Sequence, residues 1–507
     1  MNANSHHWPE MVNRERDRDL YRATKDPICR ERLLWQAYSF RHLVHLLPGE
    51  TILELGSGNG WLTVALASMS KGRNPITAAR FVDIAPTPEN TPPSVEDVHL
   101  AEMPSTLKGR TFDYVVANNI LDRENASFLL EGIFDLLKDG GRVVFFESNP
   151  WTPFFATRNI FRKLQGMPPE NNLMNRAELY ELFSEIGFLR VSALFTDFVY
   201  RPLTPKLAWL FKGLSTILEN MPFVRCLAGQ ILIHAQKPPR DAPRNQVSLV
   251  RHKSLKGKIS VVVPCHNEQM NIEPLVNGLR NHYDEYIHQI VLVDDNSVDE
   301  TRQVIEGLAE KDSRITPVFR IPPNGVGYTL KDGYQAATGE YILSMDCDFQ
   351  HLLPELEDMF DAAAEGFDAV LGSRFSRYSV LINYPFQKIL ANRAFHLTMN
   401  ILFRCWRRDL TNNLKLMRTN LVRKMTLIEP GFAANAEIGL QLLLLDCSMK
   451  EVPISWINRT FDMGQSTFRV FGSGGGYIRT LFHLAWVTKF GFKPLPAPAA
   501  SLRIPLG

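Results

Sequence analysis

Short apolar runs alternate with longer segments of helical periodicity along most of the chain. In the first half, the apolar runs are TILEL (51–55), RFVDI (80–84), FDYVVA (112–117), RVVFFE (142–147) and QILIHAQ (230–236). Amphipathic segments such as SFLLEGIFDLL (127–137) and AELYELFSEIG (177–187) lie between them. Strands separated by helices predict parallel βαβ units and a doubly wound sheet.

The second half has the same alternation. The predicted strands are KISVVV (258–263), QIVLV (289–293), ITPVFRI (315–321) and YILSM (341–345), with helices at 269–281 and 297–311. The stretch 236–258 between the halves holds three prolines and seven Lys or Arg, a composition typical of a linker. We therefore predict two α/β domains, both doubly wound: a Rossmann-like domain at 1–236, a linker at 237–257, a second domain at 258–475 and a C-terminal segment at 476–507.

Composition narrows the class of protein. The chain has 56 Lys plus Arg against 54 Asp plus Glu, a net charge of +2 that argues against a nucleic-acid partner. None of the six cysteines forms a C-x-x-C pair, which favours a reducing compartment over a disulfide framework or a zinc site. With no signal peptide and no apolar run of membrane-spanning length, the sequence predicts a cytoplasmic protein.

A glycine-rich turn follows the first predicted strand and opens a helix. It reads Glu54-Leu-Gly56-Ser-Gly58-Asn-Gly60, and Asp83 ends the next predicted strand. Glycines allow positive φ and a close approach of the backbone to a ligand, and a carboxylate at the next strand end can accept both hydroxyls of a ribose. The alternative is a tight turn with a structural role only.

The spacing E-x-G-x-G-x-G resembles motif I of class I S-adenosylmethionine-dependent methyltransferases. FDYVVANNIL and LLKDGGRVVFFESNPW resemble that family's later strands, and the resemblance covers about residues 35–235. It implies a Rossmann-like domain that binds S-adenosylmethionine. By the resemblance the cofactor site comprises Glu54, Gly56, Gly58 and Gly60 at the methionine end, Asp83 at the ribose, and Glu102 and Asn118 near the adenine or the sulfonium. The methyl acceptor stays open.

Acidic residues follow three strands of the second half. PCHNE (264–268), DDNS (294–297) and DCDFQ (346–350) each come directly after a predicted strand. Carboxylates at neighbouring strand ends meet at one sheet edge, where a divalent cation such as Mg²⁺ or Mn²⁺ relieves their repulsion. In an extended D-x-D segment both acids, Asp346 and Asp348, point to one side. For the middle motif, N-capping of a helix by Asp295 and Ser297 is the alternative.

These motifs, with GSRF (372–375) and EVPISWINRTFDMGQSTF (451–468), resemble family 2 glycosyltransferases of the dolichol-phosphate mannosyltransferase type over about residues 258–470. The resemblance implies a GT-A fold and a GDP- or UDP-sugar donor. By position it implies a nucleotide-sugar site made of Pro264, His266, Glu268, Asp295, Asp346, Cys347, Asp348, Arg374, Arg393 and Arg459. Within it, Asp346, Asp348 and Gln350 would bind the metal, Asp348, Arg374 and Arg459 would be catalytic, and Arg393 would contact an acceptor phosphate.

The chain departs from that family mainly on the acceptor side. His266 replaces a tyrosine, Asn412 lies in a block that differs from the family's, and Thr467 replaces a lysine. We predict a bifunctional enzyme that moves a hexose to a polyprenyl phosphate or a related glycan and also transfers methyl groups. The alternatives are a hydroxyl acceptor, with a base at Asp409 or Glu437 and a non-catalytic methyltransferase-like module, or a nucleotide-sugar sensor.

The C-terminal segment is basic and rich in aromatic residues. GGGYIRTLFHLAWVTKFGFKPLPAP (474–498) predicts an amphipathic helix that lies on a bilayer surface, which would make the protein peripheral on the cytoplasmic face of a membrane. Packing of the same helix on the enzyme's own flank is the alternative that the pattern leaves open.

Overall fold

The computed structural model describes residues 8–26, 28–82, 92–100, 105–168, 172–199, 204–239, 247–382, 384–445, 447–457, 470–490 and 504–505. The chain divides into two compact units, Met1–Arg244 and Asn245–Gly507. Within the described ranges, no helix combines the length and the apolarity needed to cross a bilayer.

The described part of the first unit has seven α-helices and seven strands. The helices are α1 (Trp8–Lys25), α2 (Cys29–Val44), α3 (Trp61–Met69), α4 (Ala126–Leu136), α5 (Pro153–Leu164), α6 (Arg176–Ile186) and α7 (Pro205–Glu219). The strands are β1 (Ile52–Leu55), β2 (Ile76–Arg80), β3 (Val95–His99), β4 (Phe112–Asn118), β5 (Leu137–Ser148), β6 (Leu189–Thr196) and β7 (Gln230–Gln236). Short 3-10 helices lie at Ser105–Leu107 and Val224–Leu227.

These strands form one sheet in the order β3-β2-β1-β4-β5-β7-β6. The pairs from β3 to β5 are parallel, and β7 runs antiparallel to both β5 and β6. Leu53, Val115 and Phe145 are fully buried because helices cover both faces of the central strands. Strand order reverses between β1 and β4, and such a switch point is where open α/β sheets bind ligands.

The second predicted strand of this unit was misplaced. We predicted it at 80–84, whereas β2 ends at Arg80. The strand ITAAR (76–80) contains two alanines, which have weak β propensity, so its sequence did not indicate a strand. Phe81 and Val82 are not part of the strand, because their backbone N–H groups donate to the Glu15 carboxylate and not to a neighbouring strand.

The described part of the second unit adds eight helices and eleven strands. The helices are α8 (Ile272–Tyr283), α9 (Thr301–Lys311), α10 (Val326–Ala336), α11 (Leu356–Ala364), α12 (Phe386–Phe403), α13 (Thr419–Val422), α14 (Ala434–Leu444) and α15 (Val470–Phe490). The strands are β8 (Ile259–Cys265), β9 (Ile287–Asp294), β10 (Ile315–Phe319), β11 (Tyr341–Ser344), β12 (Ala369–Ser373), β13 (Val380–Ile382), β14 (Lys415–Arg418), β15 (Thr426–Leu427), β16 (Met449–Pro453), β17 (Ser455–Ile457) and β18 (Ile504–Pro505). Short 3-10 helices lie at Lys253–Leu255, Asp284–Tyr286 and Cys347–Glu355.

The large sheet of this unit has the order β10-β9-β8-β11-β14-β12-β16, and β13-β17 and β15-β18 form two small sheets. Strands β10, β9, β8 and β11 are parallel neighbours, so their carboxyl ends lie at one edge. Strand β14 is antiparallel to β11 and β12. The two seven-stranded sheets confirm the predicted fold class.

Residues 247–257, part of the predicted linker, pack on the second unit. Leu249 and Leu255 are buried, and the Leu249 N–H donates to the carbonyl of His282 at 2.8 Å. Residues 240–246 lie outside the described residues. The predicted domain limits stay a prediction.

Candidate functional sites at two sheet edges

The glycine-rich turn joins β1 to α3 at the switch point of the first sheet. Gly56, Gly58 and Gly60 have φ values of 72°, 52° and 76°, a region that a residue with a Cβ adopts only with strain. The turn is therefore built as its spacing predicts, with the strand before it and the helix after it.

Helix α1 lies over this turn and takes its hydrogen-bond donors. One Glu15 carboxylate oxygen accepts from the Gly58 N–H at 2.8 Å, and the other accepts from Phe81 at 2.9 Å and Val82 at 2.7 Å. Glu15 is 2% exposed, and burial raises the pKa of its carboxyl. Asp19, one turn further along α1, accepts from the Asn59 N–H at 2.7 Å.

Arg18 spans the switch point from β1 to β4. Its Nη1 donates to the Asn118 carbonyl at 2.9 Å, and a Cβ on Gly58 would meet Asp19 Oδ2 at 2.0 Å and Arg18 Nη2 at 2.6 Å. The Arg18 Nη2 atom is buried and has no hydrogen-bond partner among the described residues. Side chains of α1 therefore fill the space that the glycines leave.

Of the other predicted cofactor residues, two form hydrogen bonds within the domain and two lie outside the described residues. Glu54 is buried and accepts from Thr63 Oγ1 at 2.5 Å, and burial raises the pKa of its carboxyl to about 7. Asn118 donates from its amide to Gln36 at 2.5 Å. Asp83 and Glu102 lie outside the described residues. A cofactor in this turn does not fit together with α1 in its present position.

In the second unit, the polar ends of β8, β9 and β11 meet at one cavity of about 1350 Å³. The predicted residues that line it are Pro264, His266, Glu268, Asp295, Asp346, Cys347, Asp348 and Arg374. Parallel pairing of these three strands brings Pro264 and Asp348 together from segments 84 positions apart, and Arg374 follows β12 of the same sheet.

The loops after β8 and β9 hold each other by polar contacts. The Asn267 N–H donates to Ser297 Oγ at 2.9 Å, and His266 Nδ1 lies 3.0 Å from the Asp295 carbonyl. The Asp295 carboxylate pairs with Arg320 and accepts from the Gly325 N–H at 2.7 Å. Helix α9 begins later, at Thr301, so the alternative in which Asp295 and Ser297 N-cap this helix is wrong.

We predicted an extended D-x-D segment, and the structure shows that it is extended only in part. Asp346 is extended and accepts from Asn413 Nδ2 at 2.7 Å, whereas Asp348 lies in the first turn of the 3-10 helix Cys347–Glu355 and is 6% exposed. Both acids nevertheless line the cavity. The side chain of Gln350 lies outside the described residues.

The carboxylates suit a divalent cation that substrate phosphates help to hold. Within the described residues, no group of three or more His, Cys, Asp or Glu side chains could by itself enclose a metal ion. Mg²⁺ at phosphate sites is usually bound by one or two carboxylates together with phosphate oxygens. Asp346 and Asp348 fit that pattern.

The two predicted arginines that the structure describes have different surroundings. The Arg374 guanidinium donates two hydrogen bonds to Asp409, at 2.7 and 2.9 Å, one to Tyr384 OH at 3.0 Å and one to Thr411 Oγ1 at 3.0 Å. Arg393 does not line the cavity: it contacts the Arg408 carbonyl and stacks on Phe375 at 3.8 Å from the ring centroid, and burial lowers its pKa to about 10. Arg459 lies outside the described residues, as do 464–469.

Sequence reasoning missed the apolar wall of this cavity. It is formed by α12 and α15, where Phe395 stacks edge-on against Tyr477 at 5.8 Å and Leu481 and Phe482 extend the wall. Lys388, on α12, adds a positive charge. The aromatic density of 474–498 was the available signal, and it indicated a bilayer or the enzyme's flank, not the wall of the site.

Helix α15 packs by one face and exposes the other. Leu481 and Ala485 are buried, whereas Phe482 is 54% and Trp486 is 55% exposed. The face with Leu481 packs on the core of the second unit, as one of the two alternatives for this segment predicted. Contact of the exposed face with a bilayer stays a prediction.

Neither carboxylate that we considered as a base is placed to act as one. Asp409 is fully buried, and the Arg374 guanidinium holds its pKa well below the usual range although burial opposes this. Glu437 accepts from the N–H groups of Ile428 and Glu429 at 3.0 Å, burial raises the pKa of its carboxyl to about 7, and it does not line the cavity.

Both units are α/β folds with polar groups gathered at a switch of strand order, which is where open sheets of this kind bind ligands. Residues 31–193 match the family model described as a methyltransferase domain, and residues 260–427 match the model of glycosyl transferase family 2. The chain thus joins a methyltransferase domain to a family 2 glycosyltransferase domain, which confirms the resemblances described above.

Among curated proteins, the second unit is similar to a dolichol-phosphate mannosyltransferase of Pyrococcus furiosus, 29% identical over 27% of this chain. It is also similar to a polyprenol monophosphomannose synthase of Mycolicibacterium smegmatis, 26% identical over 44% of this chain. The chain spans 39% of the first relative and 84% of the second. A glucosyl-3-phosphoglycerate synthase from Mycobacterium tuberculosis matches with a TM-score of 0.36 at 18% identity, over 46% of this chain and 81% of that one.

Proposed function

We propose that the second unit transfers a hexose from a GDP- or UDP-sugar to a polyprenyl phosphate. The observation that carries this is a single cavity with two chemically different ends. Strand-end carboxylates suit a sugar diphosphate with its cation, and the wall of Phe395, Tyr477 and Leu481 suits an isoprenoid chain. The similarity to a polyprenol monophosphomannose synthase supports the same acceptor class.

The surroundings of the two candidate bases favour a phosphate acceptor over a hydroxyl. A hydroxyl needs a base to remove its proton, and Asp409 is held ionised by Arg374 while Glu437 accepts from backbone amides. A phosphate is already anionic, so it attacks the anomeric carbon in line and inverts it without a base. Lys388 is the side chain that we propose for the acceptor phosphate, in place of Arg393.

The chain's own residues mainly orient the reactants. Arg320 and the Gly325 N–H fix Asp295 for contact with the nucleoside, and Asn413 fixes Asp346. A divalent cation held by Asp346 and Asp348 would neutralise charge on the departing diphosphate. Buried pairing of Arg374 with Asp409 keeps the cavity wall rigid and keeps one arginine near the phosphates.

For the first unit we propose methyl transfer from S-adenosylmethionine. The glycine turn at a switch point supports this, and Asp83, which we predict to bind the ribose, follows β2. A non-catalytic module is the second candidate, and the α1 side chains that fill the turn favour it.

A transfer assay tests the glycosyltransferase proposal. Full-length protein, Mn²⁺ or Mg²⁺ and labelled GDP- and UDP-sugars would be incubated with polyprenyl phosphate, and label would be followed into the organic phase. We expect lipid-bound label that Asp348→Asn abolishes and that Asp312→Asn, a change outside the cavity, retains. Hydrolysis or transfer to a glycan with no lipid label would refute the phosphate acceptor.

A further inference from the structure

Helix α5 of the first unit has its apolar face turned outward. None of its twelve side chains is buried. Phe154, Ile160, Phe161 and Leu164 are 52%, 59%, 64% and 77% exposed, and at 3.6 residues per turn they fall within one arc of about 120°. A surface helix of a globular protein normally buries such a face.

The opposite face of α5 is the one that approaches the protein. The three less exposed residues, Phe155, Asn159 and Arg162, lie on that opposite arc. The helix is well formed, because the Thr152 hydroxyl caps its first turn by accepting from the Phe155 N–H at 3.3 Å. The outward apolar face is therefore a property of a defined helix.

The charge of α5 is uniformly positive. The segment Pro153–Leu164 contains Arg158, Arg162 and Lys163 and no acidic residue, and Arg158 and Lys163 are exposed beside the apolar face. Apolar residues with basic neighbours are the pattern of helices that lie in the interface of an anionic bilayer.

A second exposed apolar side chain, that of Phe223, lies in the segment 223–228, which is hydrogen-bonded to the residues before α5. Phe223 is 91% exposed and has a φ of 64°, a strained conformation for a bulky residue. Asn149, just before α5, donates to the carbonyls of Cys226 and Ala228 at 2.8 and 2.7 Å. Strain and exposure at one phenylalanine point to an external contact.

We propose that α5 and Phe223 form a membrane-docking surface that binds the headgroup region of an anionic bilayer. A second copy of the chain fits less well, because pairing two α5 faces would bring Arg158 and Lys163 of both copies together. Since α5 follows the carboxyl end of β5, this surface belongs to the same sheet edge as the glycine turn.

Vesicle partitioning tests the docking surface. Full-length protein would be sedimented with vesicles of phosphatidylcholine alone or mixed with phosphatidylglycerol. We expect Phe161→Asp with Leu164→Asp to lower the partition coefficient at least about tenfold. Arg158→Glu with Lys163→Glu should remove the preference for anionic vesicles. Leu189→Asp, at an exposed apolar position on β6, is the matched control and should bind like wild type.

Hydrogen exchange locates the contact, because α15 could also bind the vesicles. Anionic vesicles should slow exchange in peptides covering 153–167. Unchanged exchange there, or unchanged partitioning of the α5 variants, would overturn the proposal. Loss of a dimer in the Asp variants, with no vesicle binding by wild type, would assign the face to a second copy and also overturn it.

An independent observation concerns α1, and its interpretation rests on the proposed binding of S-adenosylmethionine at the glycine turn. We infer that α1 is a lid that occupies the cofactor's position and must leave before the cofactor binds. Glu15 holds the N–H groups of Gly58, Phe81 and Val82, and Arg18 crosses the switch point. Arg18 Nη2 is buried 3.9 Å from Glu15 Oε1 but makes no hydrogen bond within the described residues, so α1 fills this position without satisfying all of its own polar groups.

Calorimetric titration with S-adenosylmethionine tests the lid. We expect Glu15→Gln and Arg18→Ala to bind about tenfold more tightly than wild type, because the closed state loses contacts. Arg16→Ala, an exposed position of the same helix, should bind as wild type does. Weaker binding in both variants would make α1 part of the cofactor site and refute the lid. Absence of binding in every protein would refute the cofactor itself, and the lid with it.

Discussion

The two units present similar sheet edges that are covered in different ways. In both, side chains that follow neighbouring parallel strands meet where strand order reverses. In the second unit they line a cavity of about 1350 Å³, whereas in the first unit Glu15, Arg18 and Asp19 of α1 fill the space above the turn.

The difference teaches that a strand-end motif locates a site without determining whether it is open. The glycine turn has the conformation that its spacing predicts, yet a carboxylate 43 residues earlier in the chain takes its amide. In the second unit, later helices complete the cavity wall and leave it open. Access is thus set by segments distant from the motif.

Among the variants proposed here, Asp348→Asn should produce the largest effect, and it tests the cavity at the sheet edge of the second unit. Loss of a carboxylate that would hold the diphosphate's cation should lower the rate of glycosyl transfer roughly 10³-fold, with little change in stability. Rates measured at saturating Mn²⁺ would check this. A rate within tenfold of wild type would place the essential ligands elsewhere.

Arg374→Met tests whether the open cavity depends on its buried ion pair. Asp409 has no exposed side-chain surface, so removal of its partner should cost about 3–5 kcal/mol in urea unfolding. The double variant with Asp409→Leu should recover most of that loss. If the single change costs less than about 1 kcal/mol, the pair is not a structural element of the cavity.

Glu54→Gln tests whether the buried Glu54 carboxyl, next to the glycine turn of the first unit, makes the stability of the protein depend on pH. Burial raises the pKa of the Glu54 carboxyl from 4.5 to about 7. The native state then keeps a proton that the unfolded chain has lost, so stability falls as pH rises through this window. The variant should reduce that fall by about 3 kcal/mol, measured by urea unfolding with hydrogen exchange of β1 peptides.

The exposed Glu131→Gln on α4 is the control for that change and should keep the wild-type pH dependence. An identical fall in stability for the Glu54 variant and for wild type would show that other groups control it.

Gly58→Ala should have the smallest effect of these variants. It tests the contact between α1 and the glycine turn. Its Cβ would meet Asp19 and Arg18, whereas a Cβ on Gly72, which has a φ of 67°, would meet Ser94 alone among the described residues, at 3.9 Å. Both substitutions strain the backbone, so the difference between them reports contact with α1. We expect faster hydrogen exchange in α1 for Gly58→Ala alone, by roughly 1–2 kcal/mol of opening free energy. Equal exchange would contradict the packing.

Local pattern predicted much of this molecule. The strand and helix periods indicated both α/β sheets, and consecutive strand ends correctly grouped Glu268, Asp295 and Asp346 at one cavity. The periodicity of apolar residues could not indicate which residues distant in the chain come into contact. Nothing near Glu15 marks it as the partner of Gly58, and nothing near Arg393 shows that α12 turns it toward Phe375. Such contacts depend on how packed elements face each other.

Hydrogen exchange of α1 with each ligand tests the comparison most directly. Full-length protein would be measured alone, with S-adenosylmethionine, and with a nucleoside diphosphate sugar and Mn²⁺. The account predicts faster exchange across 8–25 with S-adenosylmethionine and no change there with the sugar nucleotide, which should instead slow exchange at 264–268 and 346–350. Slower exchange of α1 with S-adenosylmethionine would contradict it, because α1 would then close over the cofactor and not give way to it.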